Sequence, residues 1–225
     1  MRKMTKNQKS PFAIIFDMDG VIVDSNPYHR IALKNFCDKH GYHLSDEYLK
    51  TKIFGRTNAD WLRELFQYKM EEKELVDLEE EKEAMFRKIY EPYIKPVNGL
   101  TNFLHLLQDN HIPRAIATSA PSSNVDFILN KTGVGEYFQI IIHGDMIENS
   151  KPHPEIYRKT IRAIGYPPQK CLVIEDSLSG IESALKAGCK VIGLTTTHSR
   201  EELGAAQFVI DDFGQLSLAT LENLI

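Results

Sequence analysis

Six short apolar runs constrain this fold more than any other feature: AIIFD (13–17), RAIATS (114–119), QIIIHGD (139–145), CLVIED (171–176), KVIGLTT (190–196) and QFVIDD (207–212). Their hydrophobicity is continuous, whereas a strand with one wet face alternates. Continuous runs of this length fit strands buried on both faces, as in a parallel sheet. Amphipathic helical stretches separate most of them, including VDFILNKTG, PEIYRKTIRAIG and SGIESALKAG, and all three end in glycine, a common helix stop. Strand alternating with helix predicts right-handed βαβ units and a doubly wound α/β sheet.

One interval breaks the rhythm. Roughly 95 residues without a comparable strand separate the first run from the second, too many for a structureless loop inside a compact domain. They read as helices: NPYHRIALKNFCDKHG, SDEYLKTKIFG, NADWLRELFQYKM and KELVDLEEEKEAMFRKIYEPYI. The expected organisation is a core of residues 11–24 and 95–225, an α-helical domain inserted at 25–94, and a flexible tail at 1–10. The edges of the insertion are Asp24–Ser25 and the IKPVNG segment, whose Pro and Gly punctuate the return to the core. Within it, Ser25 is expected to cap the first helix, Trp61 to belong to the local core, and the acidic run EEKELVDLEEEKE to be a solvated helix face.

Composition removes several classes of function. A chain of 225 residues with 42% hydrophobic and 26% charged residues is an ordinary globular protein. Its formal charge of −4 gives no electrostatic case for nucleic acid. Cys37, Cys171 and Cys189 are widely spaced and form no CxxC pair, which suits buried thiols in a reducing compartment better than a disulfide framework or a zinc site. The opening MRKMTKNQKSP is basic but lacks the apolar core of a signal peptide, and no run approaches 18 apolar residues. The expectation is a cytoplasmic protein that engages no membrane.

The stretch FDMDGVIVDS brings two aspartates to the end of the first strand, Asp17 and Asp19. Like charges that close repel, so a cation, a shared proton or a division of roles must offset them. Thr118 and Ser119 end the second strand, Lys151 follows the third, and Glu175 and Asp176 end the fourth. In an open parallel sheet the carboxyl ends of the strands line one edge, where ligands bind. Four acidic groups there call for a hard cation, and Mg²⁺ is the usual one beside a phosphate. Lys151 adds a fixed positive charge and Thr118 a hydroxyl, a set that stabilises the charge of a transferring phosphoryl group. Asp17 can act as nucleophile and form an aspartyl-phosphate. Asp19 is placed to protonate the leaving oxygen and then activate water.

The stretches DMDGVIVDS, ATS, KPHP and VIEDSLSGIESALKAG resemble, in order and spacing, the four motifs of the haloacid dehalogenase superfamily, and the chain is similar to its β-phosphoglucomutase-like phosphatases. The resemblance covers essentially the whole chain. It implies a Rossmann-like core, a helical cap domain, Mg²⁺ and an aspartyl-phosphate mechanism. Asp17 matches the nucleophile, and Asp19 the acid/base whose backbone carbonyl also contacts the metal. Thr118, with Ser119 beside it, matches the phosphate-binding hydroxyl, and Lys151 the lysine that pairs with nucleophile and phosphate. Asp176 matches the outer metal carboxylate, with Glu175 a second ligand, direct or through water. Asp19 is absent from the dehalogenases themselves, so its presence favours phosphoryl transfer over carbon–halogen cleavage.

The cap is expected to select the substrate and to gate solvent access. His29 matches a histidine near the acid/base of mutase-like members, and Lys82 falls near a cap lysine used by mutases. FGRTNADW is the expected substrate loop, with Gly55 giving close approach and Arg56 or Asn58 facing the cleft. Two departures count against a mutase. The mutase arginine that grips a second phosphate falls at Asn58, and the Ser-Lys-Asn run after the second motif corresponds to Ala120, Pro121 and Ser122. The sequence therefore reads as a Mg²⁺-dependent phosphatase of a small, sugar-phosphate-like ester, acting as a monomer or weak dimer. The alternative is a β-phosphoglucomutase-type phosphotransferase. A phospho-receiver module would lack the helical insertion, and a dinucleotide-binding module would show GxGxxG in place of DGVIVD.

Overall fold

Each of the six apolar runs contributes a strand in the computed structural model, which describes residues 10–49, 58–67 and 70–225. Strand β1 (Ala13–Phe16) comes first, followed by helices α1 (Asn26–Lys39), α2 (Asp46–Tyr48), α3 (Asn58–Phe66), α4 (Glu72–Tyr90) and α5 (Leu100–Asp109). Then come β2 (Arg114–Ala117), α6 (Ser122–Thr132), β3 (Ile140–Ile142) and α7 (Glu155–Ile164). The chain ends with β4 (Cys171–Glu175), α8 (Leu178–Lys186), β5 (Lys190–Leu194), β6 (Phe208–Ile210) and α9 (Leu218–Leu224).

The strands form one six-stranded sheet in the order β3-β2-β1-β4-β5-β6, and every adjacent pair is parallel. Winding proceeds outward in both directions from β1, which places the topological switch point at the carboxyl end of that strand. All four residues of β1 are fully buried, as the continuous apolar run requires of a strand covered on both faces. Successive side chains point to opposite faces. Ala13 and Ile15 join a core that includes Ile156 and Tyr157 of α7 and Ile181 and Ala184 of α8. Phe16 points the other way, into the rings of Phe103, Phe138 and Phe213 at 6.1, 5.4 and 6.2 Å. Burial of a ring of this size stabilises the fold by about 2–3 kcal/mol.

The chain divides into two compact units, Met1–Asp24 with Lys95–Ile225 and Ser25–Ile94. The second unit has a core of its own, in which Leu33, Phe36, Trp61, Leu62 and Leu75 are buried. Trp61 meets Phe36 edge-on at 5.8 Å, as expected of a core residue. Three local expectations are corrected. Ser25 precedes α1 but its side chain makes no cap hydrogen bond. Ser10, expected in the tail, is buried, bonds the Phe12 carbonyl at 2.7 Å and accepts from the Tyr166 hydroxyl at 3.1 Å. The acidic run on α4 is solvated except at Glu83, which is buried beside a buried Lys82. Gly55 and Arg56, and residues 1–9 of the expected tail, lie outside the described residues.

Candidate active site

Sheet register assembles the site. Phe16 pairs with Ile116 on one side and Ile174 on the other, so Asp17, Ala117 and Glu175 stand level at the carboxyl ends of β1, β2 and β4. Thr118 and Asp176 follow one residue beyond. After β1 the chain turns back on itself: the amides of Val21, Ile22 and Val23 converge on the Met18 carbonyl, and Gly20 sits at φ 79°. That left-handed conformation is easy only for glycine. The turn leaves Asp19 half-buried at the edge of the sheet.

Lys151, on the loop between β3 and α7, is buried and reaches into this edge. Its Nζ donates to Asp17 Oδ1 at 2.7 Å, to Glu175 Oε1 at 2.6 Å and to the Ala117 carbonyl at 3.4 Å. Glu175 is fully buried and both its oxygens are engaged. Oε1 also accepts from the Tyr157 hydroxyl at 2.7 Å. Oε2 accepts from the amides of Asp176 and Ser177, both at 3.1 Å, and from the Ser177 hydroxyl at 3.0 Å. Room for this carboxylate exists because residue 180 is glycine: a Cβ there would lie 1.8 Å from Glu175 Oε1. The Ser177 hydroxyl in turn accepts from the Gly180 amide and caps α8.

The electrostatics follow from one cation set among several acids. Burial raises the Asp17 carboxyl to about 7, opposed by Lys151 and reinforced by Glu175 and Asp19. Burial, then Glu175 and Asp17, push Asp176 well above the usual carboxylate range. Burial acts on Glu175 in the same sense, but Lys151, Tyr157 and the Ser177 amide overcome it and hold its carboxyl low. Lys151 is itself raised, its attraction to Asp17 and Glu175 outweighing the cost of burial. Asp17, Glu175 and Asp176 each offer an oxygen within 4.8 Å of the others. An all-oxygen, electron-rich set of this kind fits a hard divalent cation. Asp17 and Asp176, the two acids whose charge is disfavoured, are those a cation relieves.

Among the residues singled out from sequence, Asp17, Thr118, Lys151, Glu175 and Asp176 share this buried edge. The Thr118 hydroxyl accepts from the Ala120 amide at 3.1 Å, while Ser119 is exposed. In the helical unit, His29, Lys82 and Asn58 gather around Glu83. Lys82 Nζ lies 2.7 Å from Glu83 Oε1 and 3.3 Å from His29 Nδ1. Asn58 donates to Glu83 Oε1 at 2.8 Å and accepts from Trp61 Nε1 at 3.2 Å. The His29 ring stacks on Phe86, with centroids 3.5 Å apart and planes 8° from parallel. Lys82 is thus held by Glu83 and is not the solvated lysine its charged surroundings suggest.

Sequence reasoning missed Tyr157, Ser177, Gly180, Thr196 and Thr197. The Thr197 hydroxyl donates to Asp176, and the Thr196 hydroxyl to the Gly20 carbonyl at 2.5 Å, so the segment after β5 buttresses two sides of the site. A glycine inside an amphipathic helix marks close approach, and Gly180 carried that signal. The hydroxyl of Tyr157 lies on a face that periodicity assigns to the core.

The sequence profile of the haloacid dehalogenase-like hydrolases matches residues 14–194. A phosphorylated carbohydrates phosphatase of Thermotoga maritima is 32% identical over 184 residues, 80% of this chain and 83% of that protein. The crystal structure of a family IA, variant 3 HAD hydrolase from Entamoeba histolytica superposes with a TM-score of 0.86 at 29% identity, covering 95% of this chain and 98% of the other. A β-phosphoglucomutase from Clostridium difficile superposes with a TM-score of 0.80 at 27% identity, over 94% and 96% of the two chains.

Proposed function

The chain belongs to the haloacid dehalogenase-like hydrolases, among which it is a phosphatase, and we propose that it hydrolyses a small phosphorylated carbohydrate through a phosphorylated Asp17. The observation that carries this reading is Lys151 bridging Asp17 and Glu175 at 2.7 and 2.6 Å on a buried, acid-rich sheet edge. Lys151 and the Thr118 hydroxyl hold phosphoryl oxygens. An Asp17 carboxylate oxygen attacks phosphorus, the bond from phosphorus to the ester oxygen breaks, and Asp19 gives that oxygen its proton. Asp19 then takes a proton from water, whose oxygen attacks the same phosphorus. The bond to Asp17 breaks, phosphate leaves and both aspartates return to their starting state. Asp17, Asp176 and the Asp19 backbone carbonyl would hold a divalent cation, Mg²⁺ in this reading, which would supply positive charge beside the ionised Asp17 and the phosphoryl oxygens.

A phosphomutase is the second reading, favoured by the likeness to the Clostridium difficile enzyme. Hydrolysis is preferred because a mutase must grip a second phosphate. Asn58 spends its carboxamide on Glu83 and Trp61, and Ala120, Pro121 and Ser122 bring no cation after Thr118. The experiment is Mg²⁺-dependent phosphate release from a panel of sugar phosphates and phosphoglycolate, with β-glucose 1-phosphate plus a trace of its bisphosphate as one member. Free phosphate is the expected product. Glucose 6-phosphate formed without phosphate release makes the protein a mutase.

A further inference from the structure

Glu175 Oε1 accepts from two donors, Lys151 Nζ at 2.6 Å and the Tyr157 hydroxyl at 2.7 Å. Tyr157 is fully buried on the first turns of α7, six positions after Lys151, so one local segment delivers both donors to one oxygen. Lys151 also lies over the Tyr157 ring, 5.1 Å from its centroid. An ammonium group has three hydrogens. Here their partners are Glu175, Asp17 and the Ala117 carbonyl. An incoming phosphoryl group must take one of these donors, and the long bond to Ala117 is the easiest to give up.

What sets this division is the demand of Glu175. A buried carboxylate oxygen takes two good hydrogen bonds, and leaving it short is costly. If Lys151 were the sole donor to Oε1, it would be drawn onto Glu175 and away from Asp17. We propose that Tyr157 is a positioning residue for phosphoryl transfer: its hydroxyl shares Glu175 with Lys151, so that Lys151 stays divided between Glu175 and Asp17 and keeps a donor for the phosphoryl oxygen. Gly180 leaves room for this arrangement, and Ser177 with two backbone amides fixes the opposite oxygen. Glu175 then serves as the anchor of Lys151, and the cation is left to Asp17 and Asp176. The inference rests on the phosphatase reading above.

The test compares wild type with Tyr157→Phe and with 4-aminophenylalanine placed at position 157, which keeps an N–H donor. Four quantities are read: kcat, KM, inhibition by orthovanadate as a phosphoryl mimic, and the thermal melt. Loss of one charge-assisted hydrogen bond predicts that Tyr157→Phe loses about tenfold in kcat and binds vanadate about tenfold more weakly, with KM for Mg²⁺ within about twofold. The amine variant recovers most of both. A folded Tyr157→Phe protein with kcat and vanadate inhibition at wild-type level, changed only in its melt, overturns the inference. If Tyr157→Phe gives no cooperative melt, the amine variant decides: its retained N–H donor predicts kcat and vanadate inhibition within a few-fold of wild type, and a folded amine variant that has lost about tenfold or more in both overturns the inference. Wild-type protein inert to every phosphate ester defeats the phosphatase reading instead, and orthovanadate binding followed by titration calorimetry then judges Tyr157 on its own: equal affinity in wild type and Tyr157→Phe overturns the inference.

Discussion

Lys82 in the helical unit and Lys151 in the sheet unit are both buried, and each donates to a glutamate, at 2.7 and 2.6 Å. Their surroundings differ in one respect. Among the described residues, the acid bonded to Lys82 is Glu83, which Asn58 and His29 assist. Burial acts against the charged Glu83 carboxylate, but Lys82, His29 and Asn58 outweigh it and bring its pKa down to about 2. Around Lys151 there are Asp17, Glu175 and Asp176, and burial, opposed by Lys151 and reinforced by Glu175 and Asp19, raises Asp17 to about 7. A balanced pair satisfies itself and works as structure. An unbalanced one stores a demand for positive charge, which a divalent cation and a lysine at a phosphoryl site are suited to meet.

The largest effect expected from breaking the unbalanced cluster follows removal of its proposed nucleophile. Asp17→Asn should lower kcat by about 10³-fold or more while the circular dichroism spectrum stays that of wild type. Substantial Mg²⁺-dependent turnover by a folded Asp17→Asn protein contradicts the assignment. Chelation is the next probe: EDTA should reduce phosphate release to background, and added Mg²⁺ should restore it. Mg²⁺ at about a hundred times its dissociation constant should also stabilise the protein by about 2.7 kcal/mol. A melt insensitive to Mg²⁺, with activity surviving EDTA, removes the cation from the account.

The balanced pair is tested in the helical unit, where Trp61, the single tryptophan of the chain, reports locally. Glu83→Gln leaves Lys82 buried with its charge uncompensated and should cost about 3 kcal/mol, read from denaturant unfolding followed by Trp61 fluorescence. A cost below about 1 kcal/mol, the scale of an exposed pair, means that the pair is solvated. The smallest effect is in pH. Glu83 is depressed, so its contribution is present above the usual value of 4.5 and is lost as pH falls towards about 2. Asp17 acts in the opposite sense: with its carboxyl raised, the metal-free core loses stability as pH rises from 3.8 through about 7. The Trp61 transition should therefore weaken on acidification below about pH 4.5, and Mg²⁺ should lift the neutral-pH deficit of the core. A Trp61 transition independent of pH between 4.5 and 2 breaks the contrast.

The legible and illegible parts of this molecule divide along the same line. The central strands were readable because burial on both faces demands unbroken apolar runs, whereas the edge strands β3 and β6 carry such runs but are only partly buried. Asp17, Thr118, Lys151, Glu175 and Asp176 stand at the ends of such runs or just after one. Chemistry tied to strand ends announces itself in sequence. Glu83 did not, because a buried acid inside EEEKE has the same neighbours as a solvated one, and its burial depends on Lys82 and Asn58 packing with it. The Tyr157 hydroxyl was hidden for the converse reason: an aromatic at a core position of α7 is accounted for by its ring alone. Thr196 closes the run KVIGLTT and Thr197 follows it, beyond the end of β5 at Leu194, and the path of that segment is set by β5 and β6 together, which local pattern does not encode.

The most direct test of the central claim looks for phosphate on Asp17. During turnover of the best substrate with Mg²⁺, the protein is quenched and treated with borohydride, which reduces an aspartyl-phosphate to homoserine, and the peptide spanning residue 17 is examined by mass spectrometry. Homoserine at position 17, absent without substrate, is the predicted result. An unmodified Asp17 under conditions of sustained phosphate release contradicts the account.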